Sequence, residues 1–155
     1  MTRLVQADAS TDFEAVLALI QASFAYMESR IDPPSSMHRL TAASLAGHAR
    51  EHELWLIQDG DDLCACMQFT RRPDCLYVGK LAVSTNYRRH GLAARLMQHA
   101  EERARALTLP ALELQARVEL IENHATFAAM GFVKTGETAH PGYSRPTSIT
   151  MRKAL

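Results

Sequence analysis

Six consecutive residues hold the densest chemistry of this chain: Arg88-Arg89-His90-Gly91-Leu92-Ala93. They place two guanidinium groups, an imidazole and a glycine just ahead of a helical pattern. In that pattern Leu92, Leu96, Ala100, Ala104 and Leu107 share one stripe. The first N–H groups of a helix lack intrahelical partners and carry the positive end of its dipole. Gly91 removes the Cβ where backbone must approach a ligand closely, and Ala93 is the next smallest choice. The N–H groups of residues 89–93 can therefore converge on an anion such as a phosphate. Arg88 and Arg89 can add charge-assisted bonds worth about 1.5–3 kcal/mol each, and His90 one more donor. Taken alone, the six residues also fit a plain turn with solvated arginines.

Two better-known phosphate loops are excluded. A Walker loop needs Gly-Lys followed by Ser or Thr, which is absent. A dinucleotide fingerprint needs three glycines opening a unit of parallel strands, and only Gly91 is present here.

Other reactive side chains cluster in two loops. Residues 29–36, Ser-Arg-Ile-Asp-Pro-Pro-Ser-Ser, hold Arg30 and Asp32 on a proline-stiffened segment. It reads either as a substrate-facing loop or as a connector with solvated charges. His140-Pro141-Gly142-Tyr143 offers an imidazole and a phenol. Cys64, Cys66 and Cys75 make an odd count, with no export signal and no further ligands nearby for a metal. They read as small buried residues, with Cys64 and Cys66 on the same side of one strand.

The 155 residues suit one domain with one core, and 47% are hydrophobic. Lys plus Arg and Asp plus Glu balance at 17 each, so no global field favours nucleic acid or an anionic membrane. No basic stripe interleaved with aromatics appears. Met1 to Leu4 lead into Gln6 and Asp8 without an apolar stretch, and residues 15–20 are too short to cross a bilayer. A cytoplasmic location is expected.

The elements that must position these groups follow from periodicity. Residues 3–7 read as a strand. Thr11 and Glu14 have capping-box spacing ahead of a helix carrying Phe13, Val16, Leu17, Ile20, Phe24 and Met27, expected to end near Arg30 before Pro33-Pro34. Residues 40–50 read as a shorter helix capped by Thr41 or Ser44. Strands are expected at residues 53–58, 63–70 and 75–83, the first two joined by an Asp-Gly turn. The helix after Gly91 closes at Leu109-Pro110. A strand over 111–118, a helix over 121–130 with Gly131 as C-cap, and strands from 132 and over 148–152 complete the chain. This order reads as mixed α/β (α+β), since the strands before the key helix come as hairpins.

The six residues, placed after an apolar strand, resemble the acetyl-CoA signature Gln/Arg-x-x-Gly-x-Gly/Ala of the GNAT (GCN5-related N-acetyltransferase) superfamily. Arg88, Gly91 and Ala93 match its fixed positions. Asn123 and the helix ending at Gly131-Phe132 resemble a second family element, and the element order agrees over most of the chain. The resemblance implies a central, mostly antiparallel sheet with a splay between two parallel strands, flanked by about four helices. It implies acetyl transfer from acetyl-CoA to a primary amine, no metal, and often a homodimer. The pyrophosphate would bind amides from Arg89 through His90, Gly91 and Leu92 to Ala93 and Ala94, with Arg88 beside them. The pantetheine arm would pair with Leu81, Ala82 and Val83 like an added strand, and a backbone N–H there would polarise the acetyl carbonyl. Asn123 would bond the arm or line the splay; it also reads as a helix N-cap.

One departure bears on chemistry. The family often has Tyr four residues before Gly-Phe, as acid for the leaving thiolate; here Phe127 stands there, lining the cofactor channel without a proton to give. Tyr143, His140 and Tyr77 are the candidate acids, Tyr143 foremost. Asp32 and Glu119 are the candidate bases. Arg30, Asp32 and Tyr77 are the candidate contacts to the acceptor amine. A catalytically weak CoA-binding or CoA-sensing module is the alternative that Phe127 suggests.

Overall fold

The structure is a computed structural model that describes residues 1–155. In chain order it contains β1 (Thr2–Gln6), α1 (Phe13–Phe24), α2 (Ala42–Glu51), β2 (Glu53–Asp59), β3 (Asp62–Arg71), β4 (Leu76–Val83), α3 (Leu92–Ala106), β5 (Ala111–Arg117), α4 (Ile121–Ala129), β6 (Val133–Thr138) and β7 (Ser148–Ala154). Single 3₁₀ turns occupy Ala25–Met27, Ser36–Arg39 and Thr85–Tyr87.

The seven strands form one sheet in the order β1-β2-β3-β4-β5-β7-β6. Every neighbouring pair is antiparallel except β4 and β5. This is the mixed, mostly antiparallel sheet that the element order implied. Its two faces bury separate clusters. On one face Leu96, Met97, Ala100 and Ala104 of α3 pack on Met67, Phe69, Val78, Leu112 and Leu114. On the other, Val16 and Ile20 of α1 and Leu45 of α2 pack on Leu54, Leu56, Cys66 and Ala82. Each fully buried aliphatic side chain contributes about 1.5–3 kcal/mol, so both helical layers are held by apolar burial.

Three local expectations are corrected. Asp12, not Thr11, caps α1: its carboxylate accepts from the Ala15 N–H at 3.1 Å. The Thr11 hydroxyl is already engaged by the Asp8 N–H at 3.0 Å, so the Thr11–Glu14 box does not form. Regular helix ends at Phe24 rather than near Arg30: the chain tightens there into the 3₁₀ turn Ala25–Met27, with the Glu28 N–H bonding the Ala25 carbonyl at 3.3 Å. Finally, Cys64 and Cys66 face opposite sides. The β2–β3 register slips between Ile57 and Gln58, leaving Cys64 as the extra residue. Cys64 packs toward α3 and Cys66 toward α1 and α2. All three cysteines are buried and free, as expected. At α2, Thr41 and Ser44 act together, each side chain accepting from the other's N–H.

Candidate active site

The site begins where the sheet comes apart. The parallel pair β4 and β5 holds register only at Leu76↔Leu112 and Tyr77↔Glu113. Beyond those residues the strands diverge, and a cavity of about 490 Å³ opens between them. Leu81, Ala82 and Val83 form its β4 wall, and Leu114, Ala116 and Arg117 its β5 wall.

A bulge shapes the β4 wall. Cys66 pairs with Ala82 and Gln68 with Gly79, so Lys80 and Leu81 together oppose Met67. Lys80 adopts a left-handed conformation, φ 53°, which a non-glycine residue takes only when its surroundings impose it. Its carbonyl turns toward β3 and accepts from the Cys66 thiol at 3.6 Å. Carbonyl and following N–H point opposite ways in a trans peptide. The Leu81 N–H is therefore directed to the side of β4 that β5 has left.

The Arg88 to Ala94 turn forms a second recess of about 310 Å³, with Arg88, Arg89, Gly91, Leu92, Ala93 and Ala94 in its wall. Val83, Arg88, Ala93 and Met130 line both hollows, so the two adjoin. Arg89 (φ 65°) and Gly91 (φ 74°) are both left-handed and curl the backbone. Gly91 is the N-cap of α3 and has no capping side chain. The first intrahelical bond runs from Arg95 to Gly91, leaving the Leu92, Ala93 and Ala94 N–H groups without acceptors. A Cβ built on Gly91 meets no atom within 4 Å; it would stand in the open recess. The Arg88 and Arg89 side chains are exposed and bind no carboxylate. His90 stays outside both hollows, its ring 6.3 Å from that of Tyr87.

The remaining named residues divide into wall and rim. Tyr77, Asn123, Phe127 and His140 line the cavity. Tyr77 lies under the Arg72 guanidinium at 4.0 Å, and burial raises its phenol pKa. Asn123 donates to the Tyr26 hydroxyl at 3.2 Å. It does not cap its helix: Leu120 is the N-cap of α4. Phe127 packs edge-on to Phe132 with centroids 6.1 Å apart. The His140 ring contacts the Thr147 hydroxyl through Nδ1, and the His140 backbone N–H donates to the same oxygen at 2.9 Å. Thr147 reaches on to the Thr138 carbonyl at 3.4 Å. We assign the tautomer that satisfies all three contacts, with the proton on Nδ1 and the Nε2 lone pair free. Burial first, then Arg117 and Arg39, lowers the His140 pKa, keeping the ring neutral.

Arg30, Asp32 and Tyr143 sit on the rim rather than the wall. Arg30 forks onto the Glu122 carboxylate. Tyr143 donates to Asp32 at 2.6 Å, a bond that raises its phenol pKa, and Arg145 binds Asp32 as well. The Glu119 carboxylate accepts from the Asp32 N–H at 3.1 Å and lies off the wall too. Sequence reasoning passed over Lys80 and Arg117, both on the wall. The available signal was a lone cation inside the apolar run 77–83 and another at the end of the run 111–118.

The profile of the acetyltransferase (GNAT) family matches residues 13–132. No curated protein matches the chain. Many solved structures share its fold at low identity, three of them as follows. The ribosomal-protein-S18-alanine N-acetyltransferase from Escherichia coli is 18% identical, with a TM-score of 0.72 over 99% of this chain and 94% of that one. The PaiA N-acetyltransferase from Thermoplasma acidophilum in complex with coenzyme A is 10% identical, with a TM-score of 0.83 over 100% and 99%. A GNAT family acetyltransferase from Elizabethkingia anophelis with acetyl-CoA bound is 13% identical, with a TM-score of 0.69 over 99% and 98%.

Proposed function

The chain belongs to the acetyltransferase (GNAT) family, and from that premise we propose that it transfers an acetyl group from acetyl-CoA directly to a primary amine of a small molecule or peptide. The observation that carries this reading is the pair of adjoining hollows that runs from the Gly91 turn to the β4–β5 splay. One end offers unpaired amides and two free guanidinium groups to phosphates. The other offers strand backbone with no strand beside it.

The residues fit coenzyme A. The Leu92, Ala93 and Ala94 N–H groups, with Arg88 and Arg89, would hold its pyrophosphate. Leu81, Ala82 and Val83 would pair with the amide-bearing arm as an added strand, and Asn123 would bond it from the α4 side. Bound acetyl-CoA supplies an activated acyl group. The Leu81 N–H would stabilise negative charge growing on the acyl oxygen, as in an oxyanion hole. The free Nε2 of His140 would take the proton that the attacking amine loses. No carboxylate lines the cavity, so a neutral imidazole is the base this wall offers. Phe127 shapes the cavity and transfers no proton. Tyr77 is the phenol on the wall, while Tyr143 serves the rim by holding Asp32.

The test pairs CoA titration calorimetry with release of free CoA from acetyl-CoA over an amine panel. Saturable CoA binding and turnover of at least one amine are expected. Failure to bind CoA would sink the whole reading. Binding without turnover of any amine would select a CoA-sensing module, the reading that Phe127 favours.

A further inference from the structure

The acceptor half of the cavity carries two cations on its wall, and no carboxylate of the protein bonds either of them. Lys80 and Arg117 both line it, on facing strands, and no Asp or Glu lines it at all. This is a local excess in a chain whose acidic and basic residues balance at 17 each. The hydrogen-bond partners of the two cations are neutral. Lys80 Nζ donates to the Ser36 hydroxyl at 2.6 Å. Arg117 donates to the carbonyls of Pro33 and Pro34 at 2.8 and 3.0 Å. The nearby carboxylates are spoken for on the rim: Asp32 by Tyr143 and Arg145, Glu122 by Arg30. Glu119 accepts from the Asp32 N–H through one oxygen, leaves the other buried and unbonded, and stays off the wall.

Half-buried cations that bond no counter-charge are costly. Burial first, then repulsion from Arg117 and Arg39, depresses the Lys80 pKa. Burial depresses that of Arg117 as well, against the opposing pull of Glu119, Tyr143 and Asp32, none of which bonds it. A site held in this condition gains when an anion enters. It also rejects a second positive charge, so polyamines and simple diamines are poor fits.

Resting on the acetyl-transfer reading above, we propose that the acceptor is a small amine carrying its own anionic group, and that Lys80 and Arg117 bind that group. The anion would anchor the acceptor on the side covered by the 32–36 loop and turn its amine toward His140. A carboxylate and a phosphate monoester share this chemistry, and the arms of the experiment separate them.

The experiment uses matched pairs with the full-length protein saturated with CoA. Standard α-amino acids are set against their α-carboxamides, phosphoethanolamine against ethanolamine, with putrescine as the dication. Binding is read by the shift in thermal midpoint, and transfer by kcat/KM for CoA release. At least one anionic member is expected to bind and its neutral mate not to, with a preference in kcat/KM of about 10- to 100-fold, the range for a charge-assisted pair. The carboxylate arm or the phosphate arm carrying that preference identifies the source. Lys80→Met, which keeps the apolar stem, should erase most of the preference while leaving the Kd for CoA within about threefold, and Arg117→Met should do the same. Neutral mates binding as well as anions, putrescine binding best, or a preference untouched in both variants would each overturn the proposal. Because the midpoint shift needs no turnover, anion-selective binding without transfer would sink the enzymatic reading and keep this one. Efficient transfer to neutral amines would do the reverse.

Discussion

Replacing Gly91 with valine separates the phosphate recess from the rest of the fold. Position 91 has φ 74°, where an L-residue costs about 1–2 kcal/mol and a β-branched one sits at the high end. No atom lies within 4 Å of a Cβ placed there, so the free protein suffers backbone strain but no clash. A loss of about 2–4 °C in Tm per kcal/mol is expected for a domain of this size. The ligand fares worse. The new side chain would occupy the volume facing the Leu92, Ala93 and Ala94 amides. Losing two charge-assisted bonds there costs about 3–6 kcal/mol, or roughly 10²- to 10⁴-fold in Kd. Calorimetry with CoA and with pantetheine, which lacks the pyrophosphate, reads the two hollows apart. CoA affinity should collapse toward that of pantetheine, and pantetheine affinity should hold. If the Gly91→Val protein binds CoA within about threefold of the parent, the phosphate recess is not where the amides and guanidiniums place it. An equal loss for both ligands would point to a distorted β4 instead.

Other outcomes follow from single residues. His140→Gln should lower kcat without changing the Kd for CoA; a base works above its pKa, so parental kcat/KM should fall as pH drops through a value below the ordinary 6.5 or so, and the variant should lose that limb when compared on the same amine. Glu122 is held at a pKa of about 2 by Arg30, a depressed carboxylate whose stabilisation is present above the unfolded value near 4.5 and lost as pH falls toward 2. Urea midpoints should therefore drop over that window in the parent and drop less in Glu122→Gln. Burial pushes the Cys66 thiol to about 12, and Cys64 and Cys75 are also buried; an aromatic disulfide reagent should label none of the three quickly in the native protein and all three in denaturant. Rapid native labelling would show that the bulge at Cys64 opens.

The turn itself was legible in the sequence because its signal is local, while its reading as a phosphate site rested on the family resemblance. A glycine and two arginines ahead of an amphipathic stripe need no tertiary information to be read. The splay was legible only through family resemblance: the pattern of β4 and β5 shows two apolar strands, and nothing in either says that their pairing stops after two residues. The acceptor wall was less legible still. Lys80 reaches the cavity because a bulge rotates it, and bulges depend on a register slip between strands. Arg117 earns its place from the backbone carbonyls of a loop far away in sequence. Tyr143 was the favoured acid because its turn could reach the splay, yet Asp32 lies nearer and holds it at the rim. Thr11 and Asp12 compete for one helix end, and the winner was decided by the preceding Asp8 amide.

The short β4–β5 ladder has a mechanical consequence. Two register pairs join strands β1 to β4 to strands β5, β7 and β6, so beyond Tyr77 and Glu113 the two halves are held together by α3, which packs on both, and by what crosses the gap. The 32–36 loop, clipped to Lys80 on one half and Arg117 on the other, acts as a strap across the gap. A molecule lying along the gap and bonding Leu81 to Val83 would weld the halves. Amides flanking the gap should exchange with solvent through its opening in the free protein and slow together when CoA is bound, while amides inside β2 and β3 keep their rates. The crack that admits the ligand thereby doubles as a gauge of its presence.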